Sequence, residues 1–146
     1  MTMPDIDYEA VFRALPGPTL LLTPDLVILD ANQDFLTTLG REPHEVIGLN
    51  VFDAFPTSPA DPDRLGERRL RASLESVVAT GERDTMELMR YDIEAPGRPG
   101  LFEERYWAVI NTPVLGPAGE VILIENRSEE ATFIVRQVLK AQAISG

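Results

Sequence analysis

The chain predicts an α+β domain built on an antiparallel sheet, with its helices gathered in the middle and at the two ends. Three observations carry that expectation. Residues 103–127 read as two strands joined by Gly116-Pro117-Ala118-Gly119, where proline presets φ and glycine accepts positive φ. Thr19–Thr23 and Leu26–Asp30 read as a shorter hairpin about the turn pair Pro24-Asp25. A helical block lies between the two strand-rich ends, and a further helix closes the chain. Strands grouped around a helical block give α+β architecture rather than parallel βαβ units.

The elements follow in order. Asp5–Leu15 reads as an amphipathic helix with Tyr8, Val11, Phe12 and Leu15 on one face, ended by Pro16-Gly17-Pro18. Such a helix either docks on its own domain or pairs with a copy of itself. After the first hairpin, Asn32 is placed to cap a short helix carrying Phe35, Leu36 and Leu39, with Gly40 at its C′ position. Arg41–Phe55 reads as short helical turns, with Pro43 opening one of them. Pro56–Pro62 is loop. Arg64–Thr80 is the longest internal helix, buried through Leu70, Leu74, Val77 and Val78 and closed by Gly81.

Asp84–Glu94 reads as a third strand, Met86 and Leu88 on one face, Met89 and Tyr91 on the other. The Ala95–Gly100 loop leads into the long hairpin, whose arms are Glu103–Leu115 and Glu120–Arg127. The unbroken run Val121-Ile122-Leu123-Ile124 fits a strand at least partly covered on both faces. From Ser128 onward a helix is expected. Ser128 stands as its cap, and Glu129 and Glu130 suit the positive end of its dipole. Ala131, Ile134, Val138 and Ala141 fall at the 3-4-3 spacing of a coiled-coil seam. The segment is too short to dimerise strongly alone, so it reads either as the stub of a longer coiled coil or as a helix folded back on its own sheet.

Composition narrows the function. The chain has 146 residues, enough for one domain with short terminal extensions, and 44% hydrophobic residues, enough for a packed core. A net charge of −11 opposes nucleic acid and anionic lipid as partners. The absence of cysteine removes disulfides, thiolate nucleophiles and cysteine metal sites. With no signal-like leader and no membrane-length apolar run, the expectation is a cytoplasmic domain without membrane insertion.

Catalytic and metal chemistry find little support. His44, the single histidine, sits in the turn Pro43-His44-Glu45-Val46 and reads as solvated. Glu103-Glu104 reads as a pair of surface acids, since adjacent strand residues point to opposite faces, and Asp61/Asp63 reads as surface acids too. Arg68, Arg69 and Arg71 read as the solvated side of the long helix. No catalytic residue and no metal ligand is expected. A set of residues is placed around a space between sheet and helices: Phe35, Leu39, Phe52, Phe55, Leu74, Met86, Leu88, Tyr106, Ala108, Ile110, Ile122 and Ile124, with Asn111 and Asn126 as polar contacts. The same residues serve a filled core equally well, each buried side chain contributing roughly 1.5–3 kcal/mol.

Two stretches, PTLLLTPDLVILDANQDFLTTLGREPHEVIG at the front and YWAVINTPVLGPAGEVILIENRSEEAT at the back, together resemble a PAS domain of the bacterial signal-transduction type. The matching features are the step Asp30-Ala31-Asn32, the segment Arg41–Gly48, and Pro113-Val114 followed by Gly119. At the exit, where the family carries Asp-(Ile/Val)-Thr, this chain reads Ser128-Glu129-Glu130-Ala131-Thr132. The resemblance implies a five-stranded antiparallel sheet in the order 2-1-5-4-3, helices packed on one face, and flanking N- and C-terminal helices. It divides the chain into an N-terminal helical cap (1–17), a core (18–129) and an exit helix (130–146).

It further implies a sensory or interaction module, as found in histidine kinases and other two-component regulators. Such a module forms a homodimer and passes small-molecule occupancy or dimer state to an output domain on the same or a partner chain. Ser128, Glu129, Glu130, Ala131, Ile134, Val138 and Ala141 are the exit and dimer candidates. Heme would need an axial histidine on or near the long helix, a place His44 does not hold. Cysteinyl-flavin photochemistry is excluded by the lack of cysteine, which leaves noncovalent flavin or a small metabolite. A ligand-free dimerisation domain is the alternative, and an enzyme on the same scaffold ranks last.

Overall fold

A computed structural model describes residues 3–145; the tips of both flanking segments, residues 1–2 and 146, lie outside the described residues. The helices are α1 (Tyr8–Ala14), α2 (Gln33–Leu39), α3 (Pro43–Val46), α4 (Val51–Ala54), α5 (Leu65–Thr80) and α6 (Thr132–Ser145). The strands are β1 (Thr19–Leu22), β2 (Ile28–Ala31), β3 (Asp84–Thr85), β4 (Met89–Arg90), β5 (Ile93–Glu94), β6 (Phe102–Glu103), β7 (Tyr106–Leu115) and β8 (Val121–Glu130).

The main sheet is antiparallel in the order β2-β1-β8-β7-β3, with β4 also paired to β7. This differs in detail from the five-strand expectation. The third strand, expected as one piece over Asp84–Glu94, is broken into β3, β4 and β5, and β5 leaves to pair with β6. The register gives the reason. Thr85 lies opposite Ile110, whereas Met89 lies opposite Trp107. The β3–β4 side therefore uses one residue more than β7 does over the same span. Such a bulge reverses which residues face the core. Met89 is buried as a result, and Leu88, expected to face the pocket, is 51% exposed.

The core lies between the inner face of this sheet and the helical block. Leu20, Leu22, Ile28, Val109 and Ile124 meet Leu74 and Val77 of α5, Phe35 and Leu39 of α2, and Val46 of α3. Asn32 fastens the front of the domain. Its Oδ1 accepts from the amides of Phe35 and Thr19, both at 2.9 Å, and its Nδ2 donates to the carbonyls of Leu15 (3.0 Å) and Gly17 (2.8 Å). One side chain thus caps α2 and ties the α1 exit to the start of β1. Gly40 closes α2 at φ +64°, a backbone region open to glycine.

The exit differs from the expected helix start. β8 runs on to Glu130, which lies opposite Trp107, so Ser128, Glu129 and Glu130 belong to a strand. α6 begins at Thr132 with no acidic residue in its first turn. Pairing with the long β7 outcompetes the local capping preference. The fold-back alternative is not what the structure has. Only Thr132 of α6 is buried, while Ile134 is 66% and Val138 50% exposed.

Candidate functional site

A cavity of about 50 Å³ lies between the sheet and the helical block. Phe35 and Leu39 of α2, Phe55 after α4, and Leu70 of α5 line it on the helical side. Leu20 of β1, Met89, Tyr91, Ile93, and Trp107 and Val109 of β7 complete the apolar wall, and β8 contributes Asn126 and Ser128. Phe35 and Phe55 meet edge to face at 5.6 Å.

Of the residues placed around a pocket from sequence, Phe35, Leu39, Phe55 and Asn126 line this cavity. Leu74, Ile124 and Asn111 are buried in the same core without lining it, and Met86 packs at its edge. Phe52 is buried beneath the Arg71 guanidinium, which stands 4.3 Å from the ring. Tyr106, Ala108 and Ile110 belong to the opposite face of β7. Trp107, Val109 and Asn111 hold the inner positions instead, and Ile110 is 38% exposed. Ile122 is also exposed, because the β7–β8 register shifts at Leu115 and Ile122 is the extra residue on β8.

The pocket set read from sequence left out Leu20, Leu70, Met89, Tyr91, Ile93, Trp107, Val109 and Ser128, the last having been named for the exit alone. One signal was available for β7. Asn111 and Ile110 are neighbours on a strand and cannot share a face, and placing the large Trp107 inward selects the Asn111 face.

Tyr91 and Met89 form the partition between this cavity and a more polar outer cleft of about 180 Å³. The cleft is lined by Thr57, Ser58, Asp61, Glu67, Arg69, Arg90 and Asp92 among others. The Tyr91 hydroxyl donates to the Phe55 carbonyl at 2.6 Å, and the Trp107 indole donates to the Tyr91 carbonyl at 2.8 Å. Burial raises the Tyr91 pKa well above the ordinary value, and the nearby Glu67 and Asp61 carboxylates push it the same way. Asp61, expected as a surface acid, accepts from the amides of Leu65 (2.9 Å) and Gly66 (3.0 Å) at the start of α5. Arg90 grips Asp92 through two nitrogens, each at 2.9 Å, which holds the guanidinium charged.

From the cavity a chain of polar side chains, buried at Asn126, Asn111 and Ser73 and half-buried at its two ends, runs sideways through the sheet. Ser128 Oγ lies 3.4 Å from Asn126 Oδ1, and Asn126 Nδ2 donates to Asn111 Oδ1 at 2.7 Å. Asn111 Nδ2 donates to Ser73 Oγ of α5 at 2.8 Å, and Ser73 donates to the Asp84 carboxylate of β3.

At the exit, the Tyr106 amide donates to Thr132 Oγ1 at 3.0 Å and the Ala131 amide to the Tyr106 carbonyl at 2.8 Å. Arg105 bonds both the Thr38 carbonyl of α2 (2.9 Å) and Glu130 Oε1 (3.0 Å). Glu130-Ala131-Thr132 therefore joins β7, β8, α2 and the first turn of α6.

The volume tests the cofactor options. A cavity of roughly 150 Å³ holds one benzene ring. About 50 Å³ fits a molecule of a few heavy atoms in this packing, and a noncovalent flavin would need the walls to part. His44 is exposed on α3 and absent from the cavity wall. Among the described residues no group of three or more His, Asp or Glu is placed to hold a metal ion, and no helix is long and apolar enough to cross a membrane.

Comparison with known proteins places this architecture. Residues 12–132 match the family profile of the PAS fold. A search of curated proteins finds no match. Among solved structures, the PAS domain of a Colwellia psychrerythraea protein is similar with TM-score 0.62 and 14% identity, covering 86% of this chain and 94% of that one. The PAS domain of Bordetella pertussis BvgS aligns with TM-score 0.57 and 19% identity over 94% of this chain and 93% of its own. A Rhodobacter sphaeroides LOV protein aligns with TM-score 0.63 and 16% identity over 84% of this chain and 63% of its own. At these identities the likeness is one of fold.

Proposed function

This chain belongs to the PAS family of sensory domains, and on that premise we propose that it is a cytoplasmic sensory module of a bacterial signal-transduction protein, a histidine kinase or similar regulator. In this reading residues 18–129 form the sensing core, 1–17 a cap, and 130–146 the exit helix. The module works as a homodimer and reports occupancy of the inner cavity to an output domain on the same or a partner chain. Its role is regulatory rather than catalytic.

The observation that carries this reading is the exit junction. α6 continues directly from β8 and is bonded to Tyr106 of β7, so a shift of either strand moves the helix start. Both strands also line the cavity, through Trp107, Val109, Asn126 and Ser128. Beyond Thr132 the helix keeps a long contact from Arg136 to the Glu104 carbonyl at 3.4 Å and a half-buried Val135, while its apolar residues Phe133, Ile134, Val138 and Leu139 are exposed. A ligand moves this equilibrium only by its differential affinity for the two arrangements.

The cavity's small size favours a second reading, a ligand-free dimerisation domain with a nearly filled core. Native mass spectrometry of the freshly purified protein, with an absorbance spectrum of the same sample, separates the two. A copurifying small mass supports the sensor. A ligand-free dimer whose strength responds to no small molecule supports the alternative, and a monomer at all concentrations removes the dimer from both.

A further inference from the structure

The polar chain beside the cavity has a fixed direction, and the direction is set at its far end. The Asp84 carboxylate only accepts, so the Ser73 hydroxyl gives its single proton to it. Ser73 Oγ must then accept, which turns the Asn111 amide nitrogen toward it at 2.8 Å. The contact of the same nitrogen with Met86 Sδ at 3.7 Å agrees with that orientation. Asn111 Oδ1 is left facing Asn126, whose nitrogen donates to it at 2.7 Å. Asn126 therefore turns its nitrogen toward β7 and its oxygen the other way. Among the described residues that oxygen is met only by Ser128 Oγ, at a long 3.4 Å, and Asn126 and Ser128 both line the cavity. Amide orientations usually need to be assigned from their surroundings; here one carboxylate orients two asparagines in series. Each donor in the chain also polarises the next.

We propose that the cavity selects small, mostly apolar molecules carrying a hydrogen-bond donor, such as an alcohol, and that Asp84, through Ser73 and Asn111, is the positioning residue that sets this preference. The inference rests on the reading of the cavity as a ligand site. The wall is otherwise apolar, which favours the hydrocarbon part of such a molecule, and the volume limits it to a few heavy atoms. An acceptor-only molecule of equal size forms no bond with that oxygen, and gains one here only by drawing the Ser128 hydroxyl proton away from Asn126 Oδ1.

The test uses 2-propanol and acetone, near-equal in size, the first a donor and the second only an acceptor. Each is titrated into the ¹⁵N-labelled chain while the side-chain amide signals of Asn126 and Asn111 are followed by NMR. The expected result is saturation by 2-propanol at roughly five- to tenfold lower concentration than by acetone, the worth of one hydrogen bond. In Asp84→Asn the chain end can donate, both amides are free to turn over, and the preference falls to parity or inverts. Ser73→Ala, which cuts the chain, abolishes the preference and keeps the test decisive if the backbone spectrum shows Asp84→Asn unfolded. Equal binding of the two probes by the native chain, or a preference unchanged in a folded variant, overturns the inference and leaves the ligand-site reading standing. No response to either probe removes the ligand-site reading and this inference with it.

Discussion

Thr132→Val weakens the tie between the exit helix and the sheet with little change of shape. Thr132 is 8% exposed, and its Oγ1 is the acceptor for the Tyr106 amide at 3.0 Å. Valine fills the same volume and leaves that amide without a partner. An unpartnered buried donor costs about 1–3 kcal/mol, and because Tyr106 is half-buried the lower part of the range applies, about 1–2 kcal/mol. The second bond, from the Ala131 amide to the Tyr106 carbonyl, remains, so the helix start loosens rather than detaches. One to two kcal/mol is roughly a 5- to 30-fold rise in the open population. Native-state amide hydrogen exchange reads it directly. Protection at Tyr106, Ala131 and Val135 should fall by that factor, while Leu22, Val109 and Ile124 in the core keep theirs. Unchanged protection at Tyr106 and Ala131 in a folded variant would refute the claim that Thr132 docks the exit helix. An equal loss throughout the core would refute the claim that the effect is local.

Three further outcomes are expected. Asn32→Ala removes the α2 cap and orphans the buried Thr19 amide, a loss of about 2–4 kcal/mol; for a urea m-value near 2 kcal/mol/M the midpoint should drop by roughly 1–2 M. Tyr91 has its pKa raised in the fold, so its contribution to stability is complete below the ordinary tyrosine value of about 10 and is lost as pH rises through the folded value. Tyr91→Phe gives up the bond to Phe55 but should flatten the alkaline limb of a stability-versus-pH curve, and an unchanged limb would assign it to another group. Ile134→Glu with Val138→Glu places two charges on the exposed α6 seam, and light scattering should show the dimer shifting to monomer. An unchanged oligomeric state places the dimer contact elsewhere.

Local chemistry by itself determined the element order and most element ends. Asn32 at an N-cap, Gly40 and Gly81 just past helix ends, and Pro117 with Gly119 in a tight turn act within a few residues, so their meaning is readable one segment at a time. The α+β class and the PAS resemblance follow from that order. Which face of each strand turns inward was settled only in three dimensions. β7 carries large or apolar residues on both faces, so alternation alone does not choose between Tyr106-Ala108-Ile110 and Trp107-Val109-Asn111. The bulge between β3 and β4 exchanged Leu88 for Met89, and the shift at Leu115 turned Ile122 out to solvent. Ser128 and the two glutamates after it have the chemistry of a helix start, yet pairing with β7 drew them into β8. In each case a long-range hydrogen-bond ladder outweighed a local preference of about 1 kcal/mol, and the cavity and the chain from Asn126 to Asp84 exist only because of that ladder.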